Sequence, residues 1–345
     1  MEVEQFAAMM DGTFPALTDL RVCTPKTDLD AELPDSFLGG SAPRLQSFVL
    51  EGVVFPALPN LVLSSSHFQY LHLDDVPHAG YISPEAMITF LLALPNLKGL
   101  TIGFASPESH PLQMSPPTST HALLPSLTYF EFNGASEYLV DFIARIDTPM
   151  LNNFQITFFS DVIPNISQLH KFIDRTDKLK TFIQAEVYLR SWEVQAVFKS
   201  PANPGLDITC NVSDWPLSSM MRLCEQLLTI PSQVGQLKLC GEDWDELYFS
   251  IEEESQEDLD DAQWRQLLDP FVSVKSLYVS KRLGPFVASA LEKLIGESVT
   301  EVLPTLDNLF FEGFGSSEFV QKTIESFVSI RQLSGYPLIV RRWER

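Results

Sequence analysis

The stretch LLPSLTYFEFNGASEYLVDFIARIDTPMLNNFQITFF (123–159) contains one whole structural period and the opening of the next. Pro125 and Leu127 lead into Phe130 and Phe132, and 24 residues later Pro149 and Leu151 lead into Phe154 and Ile156. Apolar residues one position apart point to the same side of an extended strand, so each phrase reads as a short strand with one face in a core. Between the phrases, Leu139, Phe142, Ile143 and Ile146 recur at intervals of three and four, the stripe of a helix pressed against that strand layer. The proline at the head of each phrase ends the helix before it and lacks the donor that a ladder would need.

The phrase recurs at PALTDLRV (15–22), PRLQSFVL (43–50), PNLKGLTI (95–102) and PTLDNLFF (304–311). Looser copies stand at FQYLHL (68–73), DKLKTF (177–182), GLDITC (205–210), GQLKL (235–239), VKSLYV (274–279) and IRQLSG (330–335). Most intervals fall between 24 and 32 residues, a period typical of stacked repeats. Helical patterns fill the gaps at 83–95, 165–179, 218–231, 260–271, 284–299 and 316–330, and Ser83-Pro84-Glu85 has the letters of a helix cap. The predicted architecture is α/β: an open leucine-rich-repeat-like solenoid over residues 1–345, with parallel strands concave and helices convex. A doubly wound nucleotide-binding fold also alternates strand and helix, but neither its G-x-G-x-x-G turn nor a Gly-rich loop before Lys-Ser/Thr is present.

Two segments break the period. Residues 104–123 (FASPESHPLQMSPPTSTHAL) hold four prolines and read as a Pro-rich loop insertion. Residues 241–261 (GEDWDELYFSIEEESQEDLDD) carry eleven acids and no basic residue, and read as an acidic insertion with Trp244, Leu247, Tyr248 and Phe249 amid the charge. The whole chain has a formal charge of −22, which argues against phosphate backbones and anionic membrane surfaces as partners. The N-terminus MEVEQFAAMM is acidic where a secretion signal needs bases, and no apolar run is long enough to span a membrane. A cytoplasmic or nuclear monomer is expected.

Chemistry-bearing constellations are sparse. His67, His72, Asp74, Asp75 and His78 are the densest group of metal-ligating types, but His72 faces opposite Leu71 and Leu73 while the acids occupy the following turn. Cys23, Cys210, Cys224 and Cys240 have no CxxC spacing, and no histidine lies near Cys23 or Cys240 in sequence to activate a nucleophile. No catalytic residue, cofactor or metal is therefore expected, and an unrecognised hydrolytic site is the alternative from a different class.

The phrases at 14–22, 94–104, 123–159 and 277–294 resemble the leucine-rich-repeat portion of the F-box and F-box-like proteins of mushroom-forming fungi. That resemblance implies a repeat surface that selects a protein, joined in such proteins to an N-terminal F-box that recruits a ubiquitin-ligase scaffold. Residues 1–40 show no F-box opening and enter a repeat by Phe14. The ligase-adaptor reading thus depends on an F-box lying upstream. From strand parity alone, Arg21, Val49, His72, Thr101, Glu131, Gln155, Lys238, Tyr278 and Phe310 form the row on the face away from the helices. Aromatic anchors dominate binding energy in protein interfaces, so the expected contact residues for a protein partner, as yet unidentified, are Tyr278 and Phe310.

Overall fold

The computed structural model describes residues 3–24, 31–106, 121–159, 167–200, 203–212, 216–227, 230–241, 257–293, 301–313 and 317–344. The chain divides into two compact units, Met1–Phe159 with Pro164–Leu179, and Ser160–Ile163 with Lys180–Arg345. The first unit runs α1 (Val3–Met9), β1 (Asp19–Cys23), β2 (Ser47–Glu51), α2 (Leu58–Leu63), β3 (Tyr70–Val76), α3 (Pro84–Leu91), β4 (Gly99–Phe104), β5 (Ala122–Leu123), β6 (Tyr129–Gly134), α4 (Ser136–Ile143), β7 (Ile146–Asp147), β8 (Asn153–Phe158) and α5 (Ser167–Arg175). The second runs β9 (Gln184–Leu189), β10 (Glu193–Ser200), β11 (Asn203–Asn211), α6 (Pro216–Gln226), β12 (Gln236–Gly241), α7 (Glu257–Leu268), β13 (Ser276–Val279), α8 (Gly284–Lys293), β14 (Asn308–Glu312), α9 (Glu318–Leu333) and β15 (Ile339–Trp343).

In the first unit β1, β2, β3, β4, β6 and β8 pair in sequence order, every pair parallel, with Phe48, Leu71, Leu100, Phe130 and Phe154 directly across from one another. Identical register repeated along the sheet puts the second apolar residue of each phrase in a row of its own, Leu50, Leu73, Ile102, Phe132 and Ile156. Both rows are buried. The helices cover them: Phe142 of α4 lies 5.5 Å from the Phe130 ring, Phe172 of α5 lies 5.4 Å from Phe154, and Phe130 stacks on Phe154 at 5.1 Å. Ser83 accepts a hydrogen bond from the Ala86 amide at 3.2 Å, the cap anticipated for α3.

Phe104 closes β4, and Ala122–Leu123 pairs in parallel with Ile146–Asp147 as a small second sheet. The ends of the predicted Pro-rich loop thus belong to strands, while 107–120 lie outside the described residues. The acidic segment likewise begins on Gly241 of β12 and ends inside α7, with 242–256 outside the described residues.

The second unit departs from the predicted all-parallel ladder. β12, β13, β14 and β15 pair in parallel, and β12 pairs in parallel with β9, but β10 runs antiparallel to both β9 and β11. The reason lies in residues 190–206. Arg190 donates its amide to the Glu193 carbonyl at 3.0 Å, closing a tight reversal, and Glu193–Phe198 alternates half-buried and buried residues with no helical stripe. Gly205 has φ +95, and a Cβ there would come within 2.0 Å of the Phe198 carbonyl oxygen, so this glycine is what lets β11 return past the end of β10.

Two phrases also lie elsewhere than the sequence pattern predicts. Ala185 of β9, not Phe182, pairs with Leu237, which makes Phe182 the leading residue and shifts the repeat three positions beyond DKLKTF. The IRQLSG segment lies within and just after α9, whose buried face is Val320, Thr323, Ile324, Phe327 and Arg331, with Phe319 exposed; the last strand comes later, at Ile339.

Candidate functional site

Side chains opposite the buried pairs form what is here called the open face of each sheet. In the first unit the ladder places Arg21, Val49, His72, Thr101, Glu131 and Gln155 side by side, as parity requires. Most of this row is occupied with itself. The Tyr129 hydroxyl donates to Glu131 at 2.6 Å, Thr101 donates to the same carboxylate at 3.3 Å, and Arg21 donates to Glu51 at 3.1 Å. Burial, with the Glu131 charge beside it, raises the Tyr129 hydroxyl well above the usual phenol range. Asp74 lies across β4, its carboxylate where a Cβ on Gly103 would sit, and burial raises its proton affinity.

The predicted ligand types in this region do not converge. His72 sits in the open row, Asp75 occupies a left-handed backbone position, and His78 starts a separate helical turn. Among the described residues no three His, Cys, Asp or Glu side chains come together as a metal would require.

In the second unit the open row reads Glu186, Lys238, Tyr278, Phe310 and Arg341, each hydrogen-bonded neighbour directly across from the last. Glu186 is buried and accepts from Lys199 at 2.6 Å, Lys238 at 2.8 Å and the Tyr188 hydroxyl at 2.9 Å. Burial alone would raise this carboxyl; the hydrogen bonds from Lys199, Lys238 and Tyr188 outweigh it and hold the group down to about 2. The cluster ties β9 to β10 and β12 and leaves its two ammonium groups already paired.

Beyond that clamp the chemistry changes. Tyr278 and Phe310 stack with ring centres 4.3 Å apart and planes 4° from parallel, and Trp343 meets Tyr278 edge-on at 5.6 Å. Phe310, Tyr278 and Trp343 are half-buried. Arg341, next to Phe310 in the ladder, is exposed. Ile339, two residues before it on the same face, is 52% exposed.

Tyr278 and Phe310 therefore lie where strand parity put them, and the structure brings them into direct contact. Glu186, Arg341 and Trp343 were not anticipated: the first because the phrase at 177–182 was set three residues early, the others because the final strand was assigned to the end of α9. The signal for β15 was the helix-stopping Gly335 and Pro337 before IVRRW.

Register, alternation and helix cover make each unit an open leucine-rich-repeat-like stack of mixed α/β class. No family model matches the chain, and no curated protein matches it. A solved structure, the leucine-rich repeat-containing protein LegL7 from Legionella pneumophila, is similar over 96% of this chain and 94% of its own, with 14% sequence identity and a TM-score of 0.39. The fold assignment stands on this chain's own ladders. Among the described residues, no helix is long and apolar enough to cross a membrane.

Proposed function

We propose that this chain is a protein-interaction scaffold that acts by binding rather than by catalysis, and that its contact surface is the open face of the second unit centred on Tyr278 and Phe310. The observation that carries the reading is the stacked pair with Trp343 at its edge, held half-buried on paired strands. Rigid aromatic side chains supply contact area at low entropic cost, which is why they anchor protein interfaces. The formal charge of −22 favours a protein partner over nucleic acid.

A narrower version, the substrate-recognition part of an F-box-type ubiquitin-ligase adaptor, is favoured by the resemblance of residues 123–159 and 277–294 to the repeats of fungal F-box-like proteins. In that version the ligase scaffold is met by a module outside the repeats, and the substrate by the same aromatic face.

A photo-crosslinking residue placed at Phe310 in the intact cell tests the shared reading. The expected result is a discrete protein adduct that disappears in a Tyr278→Ala background and does not form when the probe sits at Gln155. No adduct from position 310, or the same adducts from both positions, would overturn it. A cullin scaffold recovered alongside the adduct supports the adaptor version, and its absence supports the simpler one.

A further inference from the structure

β15 ends the sheet of the second unit among the described residues, since it pairs with β14 on one side and no strand lies on its other. Its backbone alternation is fixed by the Ile339 amide, which donates to the Asp307 carbonyl at 2.9 Å. Amides two residues apart point the same way in a strand, so the backbones of Ile339, Arg341 and Trp343 turn to β14 and those of Val340 and Arg342 turn outward. Side chains alternate about the perpendicular axis: Ile339, Arg341 and Trp343 all stand on the open face. Arg342 pairs with Glu344 at 3.6 Å, whereas the Arg341 guanidinium makes no ion pair or hydrogen bond within the described residues.

From this geometry we infer that the edge of β15 takes up an extended segment of a partner protein by strand addition, and that the segment carries an acidic residue flanked at alternate positions by apolar ones. The inference rests on the open face of this unit being the binding face. An added strand would set every second side chain beside Ile339, Arg341 and Trp343 in turn. The matching pattern is apolar, any residue, Asp or Glu, any residue, apolar, and it reads the same in either strand direction. The carboxylate meets an unpaired guanidinium with a hydrophobic residue on each side, and the apolar residue beside Trp343 extends the aromatic cluster of Tyr278 and Phe310.

Two arginines on an edge strand also guard against unwanted pairing, and that role alone predicts no preference for an acidic sequence. The experiment separates the two. Fluorescein-labelled Ser-Thr-Ile-Thr-Glu-Thr-Trp-Thr-Ser is titrated with the full chain by anisotropy, beside peptides in which the central Glu is Gln, is Lys, or is moved one place toward Ile. Saturable binding is expected for the first, about tenfold weaker binding for the Gln form, since a lost charge-assisted hydrogen bond amounts to about one decade in Kd, and none for the Lys and shifted forms. Arg341→Glu should reverse the preference in favour of the Lys peptide. Arg342→Pro should abolish binding, because it removes an outward donor at an edge position where proline is tolerated, and circular dichroism should show the fold retained.

No saturable binding of the Glu peptide at millimolar protein, or equal binding of all four peptides, would overturn the inference. So would an Arg342→Pro chain that keeps its fold and still binds. In each of these cases an adduct at position 310 that depends on Tyr278 would leave the broader reading standing, which keeps the two failures distinct.

Discussion

The open face of each unit is set by the same strand parity, and the two differ in what stands on it. In the first, Tyr129, Thr101, Glu131 and the Arg21–Glu51 pair meet one another's hydrogen-bonding needs across neighbouring strands. In the second, an ionic clamp at Glu186 gives way within two strands to stacked rings and an exposed guanidinium. Parity decides which residues face outward, and only the chemistry of the row decides whether they have anything left to offer a partner. A satisfied row holds the sheet together; an apolar row leaves surface that gains by being covered.

The largest expected effect lies across the sheet rather than along it. Phe130→Asp puts an unpaired charge among Phe142, Phe154 and their neighbours and should lower stability by about 4 kcal/mol, while Glu131→Ala on the other face, losing the Tyr129 and Thr101 hydrogen bonds, should lower it by about 1 kcal/mol. Urea denaturation midpoints check both, and equal losses would mean the strand faces are reversed.

Next in size is the clamp. The Glu186 carboxyl is held at about 2 against an ordinary value of 4.5, so between those values the unfolded chain takes up a proton that the folded one does not. Stability from this group is complete above pH 4.5 and is lost as pH falls toward 2. Screening by its half-exposed lysine partners limits the total to about 2 kcal/mol. Glu186→Gln should remove that slope from a pH series of denaturation midpoints; an unchanged slope would show that the carboxylate is not held by Lys199 and Lys238.

The smallest effect sharpens the comparison most. Tyr278→Ala with Phe310→Ala should lower stability by only about 1 kcal/mol, because the pair is half-buried and loses mainly its mutual stacking, and Arg341→Ala by less than about 0.5 kcal/mol. A loss of several kcal/mol from either would recast these residues as structural.

Much of this is legible in the sequence. The phrase around Phe130 and Phe154 names its own strand, face and register, since two apolar residues one apart, a leading leucine and a preceding proline leave little choice. Tyr278 and Phe310 followed from that parity. What escaped was whatever did not repeat. β10 and β11 alternate as any strand does, and short alternation carries no mark of direction; that comes from the reversal at Arg190–Glu193 and the bend at Gly205. The leading positions of β9 and β12 are Phe182 and Val234 rather than leucine, so a pattern keyed to leucine points to Leu179 instead and hides Glu186. IRQLSG matched the phrase by letters while its residues up to Leu333 completed the last helix, which hid Arg341 and Trp343.

The central claim is that the aromatic row of the second unit, and not the satisfied row of the first, meets the partner. Its most direct test is the Kd of the crosslinked partner, once purified, for the unaltered chain, for Tyr278→Ala/Phe310→Ala and for Thr101→Ala/Gln155→Ala. The account predicts a loss of at least about tenfold for the first pair, the size expected when interface anchors are truncated, and less than about twofold for the second. Equal affinity for all three chains, or a loss confined to Thr101→Ala/Gln155→Ala, would contradict it.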